Sequence, residues 1–459
     1  MKQIEDAVVA YRRGDYEETL RILLPLARGG DAAAQFKIAH IFELGYGVKP
    51  NAVEAIEWYQ LAAKNGLLDA QYTLGVIYQS GRGIPVDFDE ALRWFEMAAL
   101  QGDSDAQCNL SLMYEKGQGV LQNYEKAYFW CLEAASQGDA EAQSSLGVMY
   151  GNGEGIEQDF SEAERWYRLA ASQGNASGQY NLGVMYHLGF GVEQDYREAL
   201  LWYRLAAIQG HGRAQSNLGV LHEIGKGVEQ DDFEAVKWYR LAATQGLSEA
   251  QYNLGKIYES GGLVWRDNEG RAKSSMRTNR RANALAKQSA SYGGNETRGD
   301  DEPGPSIQEL FTAGWNDNNG LQAELERHHD ESLGPPKDYL EAIKWYLLAA
   351  KQGHADAQNR LGTMYSEGQG VAINCDKAVE WYRLAAEQGH SDAQACLGTL
   401  YGAGQGVPQD YVLAHMWSNL AAGAGSSNAL QNRDYFASQM SVQQILESKE
   451  MTRDFQLKS

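Results

Sequence analysis

Only four cysteines, Cys108, Cys131, Cys375 and Cys396, occur in 459 residues, at irregular spacing and without a CxxC or CxxH pair. That scarcity excludes a disulfide framework and argues against a structural zinc site, so the four read as ordinary small side chains. No stretch approaches the ~18 consecutive apolar residues that span a bilayer. Met1 to Tyr16, which carries Glu5, Arg12, Arg13 and Asp15, lacks the apolar core of a secretion signal. A cytoplasmic chain with no direct membrane insertion is the expectation. Basic residues are also short, 40 Lys and Arg against 61 Asp and Glu for a net charge of −21. Such a chain repels phosphate backbones, which excludes nucleic acid as a partner. Catalytic signatures are missing as well: there is no HExxH, GxSxG, Walker or strand-borne dinucleotide motif. His211, His354 and His390 hold one place in different units, which lie ~10 Å apart or more if helices pack at usual distances, too far to share a metal. No cofactor, no metal site and no catalytic residue are therefore expected, and the chain reads as a non-enzyme.

What is present is a period. Gln-Gly or a close relative recurs at Gly66, Gly102, Gly138, Gly174, Gly210 and Gly246, each 36 residues after the last, and again at Gly353, Gly389 and Gly425. One skeleton returns in each unit, and residues 175–210 show it in full: Gln179, Leu182, Gly183, Tyr186, Gly189, Gly191, Val192, Ala199, Trp202, Tyr203, Ala206, Ala207 and Gly210. Leu182 to Tyr186, and Ala199 to Trp202 to Ala206, keep the spacings that place side chains on one helix face. Each unit is thus two amphipathic helices, here termed A and B. Acids before the Ala-Gln pair, such as Asp69, Asp105 and Glu141, sit near the positive end of helix A. The first Gly of Gly-x-Gly suits a left-handed cap. The Val or Ile after it plugs the gap between helices, Trp94, Trp130, Trp166, Trp202 and Trp238 fill the space between units, and paired alanines let helices approach. One pair cannot bury its own apolar face, whereas stacked neighbours can.

At these residues the chain resembles the Sel-one-like repeat family, relatives of the tetratricopeptide repeats. The resemblance implies an all-α, right-handed α-solenoid of helix-turn-helix repeats. It covers eight intact units, 31–246 and 354–425, and one interrupted unit, 247–353. It further implies an interaction scaffold, a monomer, with a protein or peptide ligand along a concave groove lined by the A helices. Mapped onto that inner face are Tyr72, Tyr180 and Tyr252, one position after the signature Gln, and Asn109, Asn181, Asn217, Asn253 and Arg360, one position further. Asn amides offer donor and acceptor to a bound backbone, and Tyr offers area with a polar tip; local bonding of the Asn side chains is the equal alternative. Two other functions stay open: a divergent hydrolase akin to cysteine-rich repeat β-lactamase-like proteins, whose regular cysteine pairs this chain lacks, and a structural spacer.

The ends and one interruption depart from the period. Residues 1–30 read as a capping helix pair, with Gly14-Asp15-Tyr16 as its turn and Leu20, Leu23, Leu24 and Ala27 at helical spacing. Repeats fill 31–264 and 338–425. In 426–459, Ser441 and Gln444 form a capping box for a last helix through Ile445, Leu446, Met451 and Phe455. Val192 leads to Asp195 in three steps but Val264 to Asp338 in 74. The extra 265–337 stretch is polar, unpatterned and expected to be disordered. Seven basic residues face two acids from Val264 to Ala290, and ten acids face two basic residues from Ser291 to Gly334.

Overall fold

The computed structural model describes residues 2–260 and 338–458. The expected disordered insertion lies outside them. Contacts divide the chain into two compact units, Met1–Asp195 and Tyr196–Ser459. Among the described residues every element is a helix, and each unit is a stack of helix pairs.

The first unit opens with helices Lys2–Arg12 and Tyr16–Arg28 and continues with A helices Ala32–Leu44, Leu68–Ser80, Ser104–Lys116, Ala140–Asn152 and Ala176–Leu188, interleaved with B helices Ala52–Lys64, Phe88–Ala99, Tyr124–Ser136 and Phe160–Ser172. The second begins with B helix Tyr196–Ile208 and alternates through Gly212–Ile224, Asp232–Thr244, Ser248–Ser260, Tyr339–Lys351, Ala355–Glu367, Cys375–Glu387, Ser391–Ala403 and Tyr411–Gly423. Helices Ser427–Ser438 and Val442–Lys458 follow.

Local chemistry fixes each boundary. Most A helices start where a side chain accepts from the third backbone amide onward, as Asp103 does from Ala106 at 2.7 Å and Asp139 from Ala142 at 2.7 Å; Leu67, before helix Leu68–Ser80, makes no such bond. They stop at a left-handed glycine, for example Gly117 at φ 67° and Gly153 at φ 75°, a conformation other residues adopt only under strain. The second Gly of the pair is needed for space too: a Cβ on Gly155 would lie 2.1 Å from the Tyr124 carbonyl oxygen.

Packing within a pair rests on size matching. The small residue four places after the signature Gln lies under the aromatic ring of helix B, so that a Cβ on Gly147 would sit 2.6 Å from the Tyr167 ring and one on Gly255 2.5 Å from Tyr346. Where Ser111 takes the glycine's place, Cys131 takes the ring's place and both are buried. Trp94 joins an apolar cluster with Ala55, Ile56 and Tyr59 of the preceding repeat, as the inter-repeat tryptophan reading expects; Trp166, Trp202 and Trp238 are buried and Trp130 is half-buried.

The interrupted repeat closes like its neighbours. The Asp338 amide donates to the Tyr258 carbonyl at 2.8 Å, the bond that Asp87 makes to Tyr78 and Asn123 to Tyr114 at 2.9 Å. Helix Val442–Lys458 starts with a reciprocal capping box, Ser441 N to Gln444 Oε1 at 2.9 Å and Gln444 N to Ser441 Oγ at 3.3 Å. Its seam is apolar only in part, with Met451 and Phe455 packed against the cluster that holds Trp417. Leu446 is exposed, whereas Ser448 and Thr452 are buried, with Phe455 edge-on to Trp417 at 5.4 Å. The partner helix explains this, because it presents His415, whose Nδ1 lies 2.8 Å from Ser448 Oγ.

Candidate functional site: the exposed stripe of the A helices

Most signature positions are consumed by the fold. The recurring Gln is buried in every repeat, 1–5% exposed. Its Nε2 donates to a carbonyl of the preceding B helix, Gln71 to Ala63 at 3.0 Å and Gln215 to Ala207 at 3.0 Å. Its Oε1 accepts from the Gln of the next Gln-Gly turn, Gln101 to Gln71 at 2.6 Å, Gln137 to Gln107 at 2.8 Å and Gln352 to Gln251 at 2.8 Å. A buried amide with both ends satisfied pins three helices at little desolvation cost. Period alone does not disclose this ladder, since the partner lies 30 residues away in sequence.

The three histidines after the Gln-Gly turn are caps. His354 Nδ1 accepts from Ala357 N at 3.4 Å and its Nε2 lies 3.1 Å from Glu249; His390 repeats this with Ala393 at 3.3 Å and Asp356 at 3.2 Å. His211 accepts from Ala214 N at 3.2 Å, and burial lowers its pKa. Among the described residues no group of three His, Cys, Asp or Glu is placed to hold a metal. Burial raises the thiol pKa of Cys108, pushes that of Cys131 up to about 12 and raises that of Cys396, which leaves these sulfurs protonated and poor nucleophiles at neutral pH.

What remains is a stripe at positions i, i+3, i+4, i+7 and i+10 of helix A, beginning two residues before the Gln. Tyr72 and Asn109 interact across consecutive repeats, and burial, then Asp105 and Asp103, raise the Tyr72 pKa. Asn109 also donates to Asp105 O at 2.8 Å. Tyr180, Asn181 and Asn217 are half-buried on helices Ala176–Leu188 and Gly212–Ile224. Asn253 is 6% exposed, too little to meet a partner. Tyr252 stacks on His354 at 4.7 Å and tilts against Tyr346 at 5.8 Å. Arg360 donates through Nε to Glu259 at 3.2 Å, with a second, shorter contact from Nη2. The Tyr346 hydroxyl donates to the same carboxylate at 2.7 Å. Sequence reading missed Glu259, Glu223 and Lys256 on this stripe. Lys256 lies 3.9 Å from Glu223 and 5.8 Å from the Tyr252 ring centre.

Comparison with known proteins follows from this geometry. The family model described as Sel1 repeat matches residues 32–67, 68–103, 104–139, 140–175, 176–211, 212–247, 248–272, 327–354, 355–390 and 391–426. The two shorter matches flank the insertion. Among solved structures, c5321, described as a protective antigen of uropathogenic Escherichia coli displaying an SLR fold, is 30% identical, with 99% of this chain and 91% of that one covered and a TM-score of 0.53. A Sel1 repeat protein from Oxalobacter formigenes is 29% identical over 83% of this chain and 90% of its own, with a TM-score of 0.55. No curated protein matches.

Proposed function

The chain belongs to the Sel1 repeat family, whose members are generally protein-interaction scaffolds, and from that premise we propose that it is a non-catalytic adaptor that binds an extended peptide or a partner helix along the A-helix stripe. The observation that carries this reading is the division of labour within each repeat. Gln, Leu, Gly, Ala and Trp positions are taken up by packing, while Tyr72, Asn109, Tyr180 and Asn181 in the first unit, and Asn217, Tyr252 and Arg360 in the second, remain half-buried at matching positions of their A helices. Half-buried Tyr and Arg with satisfied but exposed polar tips are the side chains that anchor interfaces. Arg360 is pre-oriented by Glu259, which lowers the entropy lost when a partner carboxylate or carbonyl meets it.

The test is a combined Asn109→Ala, Asn181→Ala, Asn217→Ala variant, checked for unchanged helicity by circular dichroism. Cross-linking in the native host, with identification by mass spectrometry, should recover a stoichiometric partner from the parent chain and at least about tenfold less from the variant. Equal recovery by both rejects the stripe as the binding face. Recovery of no partner from either favours a spacer.

A further inference from the structure

A second surface lies away from the A-helix stripe, in the first unit. A notch of about 420 Å³ opens between helix Ala52–Lys64, the end of helix Leu68–Ser80 and the loop before helix Phe88–Ala99. Its apolar walls are Val53, Ile56, Ile84, Pro85 and Val86, with Val53 62% and Val86 51% exposed. Glu57 and Asp87, both exposed, and the half-buried Gln60 and Tyr78 complete its lining, and no basic residue lines it.

The repeats themselves record what fills the equivalent place elsewhere. At the Gln60 position some repeats hold Glu96, Leu132 or Leu347, and others hold Arg168, Arg240 and Arg383. Each lays its guanidinium on the tyrosine hydroxyl of the next A helix, Tyr186 at 3.0 Å, Tyr258 at 2.6 Å and Tyr401 at 2.7 Å. Here the shorter, neutral Gln60 reaches Tyr78 at 2.9 Å and leaves the volume open. Two further departures coincide. Glu57 stands where Arg93, Arg165, Lys237 and Lys344 stand in other repeats, and Pro85-Val86 replaces the Glu-Gln of 157–158, 193–194 and 229–230. In two of those loops the Gln folds back onto a helix carbonyl, Gln158 to Gly151 and Gln194 to His187, both at 2.7 Å; Val86 cannot. Arg82 and Arg93, in the loop and helix that border the notch, are engaged elsewhere, with Glu43 at 3.2 Å and Glu90 at 2.5 Å.

We propose that this notch receives an arginine side chain of a partner polypeptide, its aliphatic stem against Val53, Ile56 and Val86 and its guanidinium at Glu57 and Asp87. The missing internal arginine supplies the shape, and the reversed charge at Glu57 supplies the attraction. The excess of acids in the chain favours such a cationic partner at longer range.

Methyl NMR of the full chain, titrated with acetyl-Val-Arg-Val-amide, tests this. The Ile56 and Ile84 methyl signals should shift saturably. The citrulline peptide, equal in shape but uncharged, should bind at least about tenfold more weakly. Gln60→Arg, which restores the residue found in other repeats, should close the notch and remove the shifts, and Glu57→Arg should do so by charge. The proposal is overturned if neither methyl responds, if citrulline titrates equally, or if either folded variant binds as well as the parent. Should Gln60→Arg fail to fold, Glu57→Arg, a change at an exposed position that carries Arg in two other repeats, decides alone.

Discussion

At the scale of single residues, the most informative side chains are the buried glutamines. Gln143 is 5% exposed, donates to Ala135 O at 3.2 Å and accepts from Gln173 at 2.8 Å. Replacing it with Ala removes both bonds, takes one of two donors from the Ala135 carbonyl and one of two acceptors from Gln173, and the expected loss is about 1–3 kcal/mol. Urea denaturation should show it, with hydrogen exchange rising in helices Tyr124–Ser136 and Ala140–Asn152. The glycine beneath each ring makes a sharper case. Gly147→Ser should cost about 1–3 kcal/mol by overpacking against Tyr167, and Tyr167→Cys about 3 kcal/mol by leaving a cavity. The double variant reproduces the Ser111 and Cys131 pairing that the third repeat already holds. It should therefore lose less than the sum of the singles, and a double-mutant cycle measures the difference. The repeated Gln and Gly were plain in the sequence as marks of register. Their purpose was not, because it depends on which residue of the next helix lies opposite.

Among elements, the helix ends were the most legible part. Left-handed glycines and the capping box at Ser441 stand as their spacing implies. The last helix was legible in part: Met451 and Phe455 pack against the apolar cluster around Trp417, whereas Ser448 and Thr452 answer His415 and Asn419, and no apolar period announces that half of the seam. Its stability should vary with pH. Burial, then Arg433 and Lys449, lower the His415 pKa, against Asp434. A histidine whose folded pKa lies below its unfolded value leaves the unfolded chain binding more protons as the solution turns acidic. Its contribution is complete above about pH 6.5 and declines as pH falls from there toward the folded value, by at most ~1.4 kcal/mol per pH unit. Hydrogen exchange of residues 442–458 should accelerate over that interval in the parent chain. In His415→Gln, which keeps a neutral partner for Ser448, the acceleration should be largely absent; an unchanged profile would assign the effect to another group.

For the molecule as a whole, the 36-residue period sufficed to identify helix pairs and to place the interruption, because each repeat carries the same caps and the same apolar positions. The A-helix stripe was legible only as a row of positions. Exposure decides which members matter: Asn253 is buried and Arg360 is tied to Glu259, and neither follows from spacing. Stability in such arrays is close to a sum over neighbouring repeats. Excising residues 104–139 joins Asp103 to Ala140, so that one capping aspartate takes over from another. The shortened chain should fold with proportionately less helix by circular dichroism, and a collapse to unfolded chain would contradict nearest-neighbour stability. The net charge of −21 adds a general repulsion. Raising salt from ~20 to ~200 mM should therefore raise the Tm by a few degrees.

The bond from Asp338 to Tyr258 shows that a repeat tolerates a long detour at its inter-helix turn as long as the two bracketing residues rejoin. Lengthening that turn from a few residues to several tens costs only about 2 kcal/mol of closure entropy. The matching turns after Tyr78, Tyr114 and Tyr150 are thereby ports of equal standing, into which foreign sequence could be spliced for display without redesigning the framework that carries it.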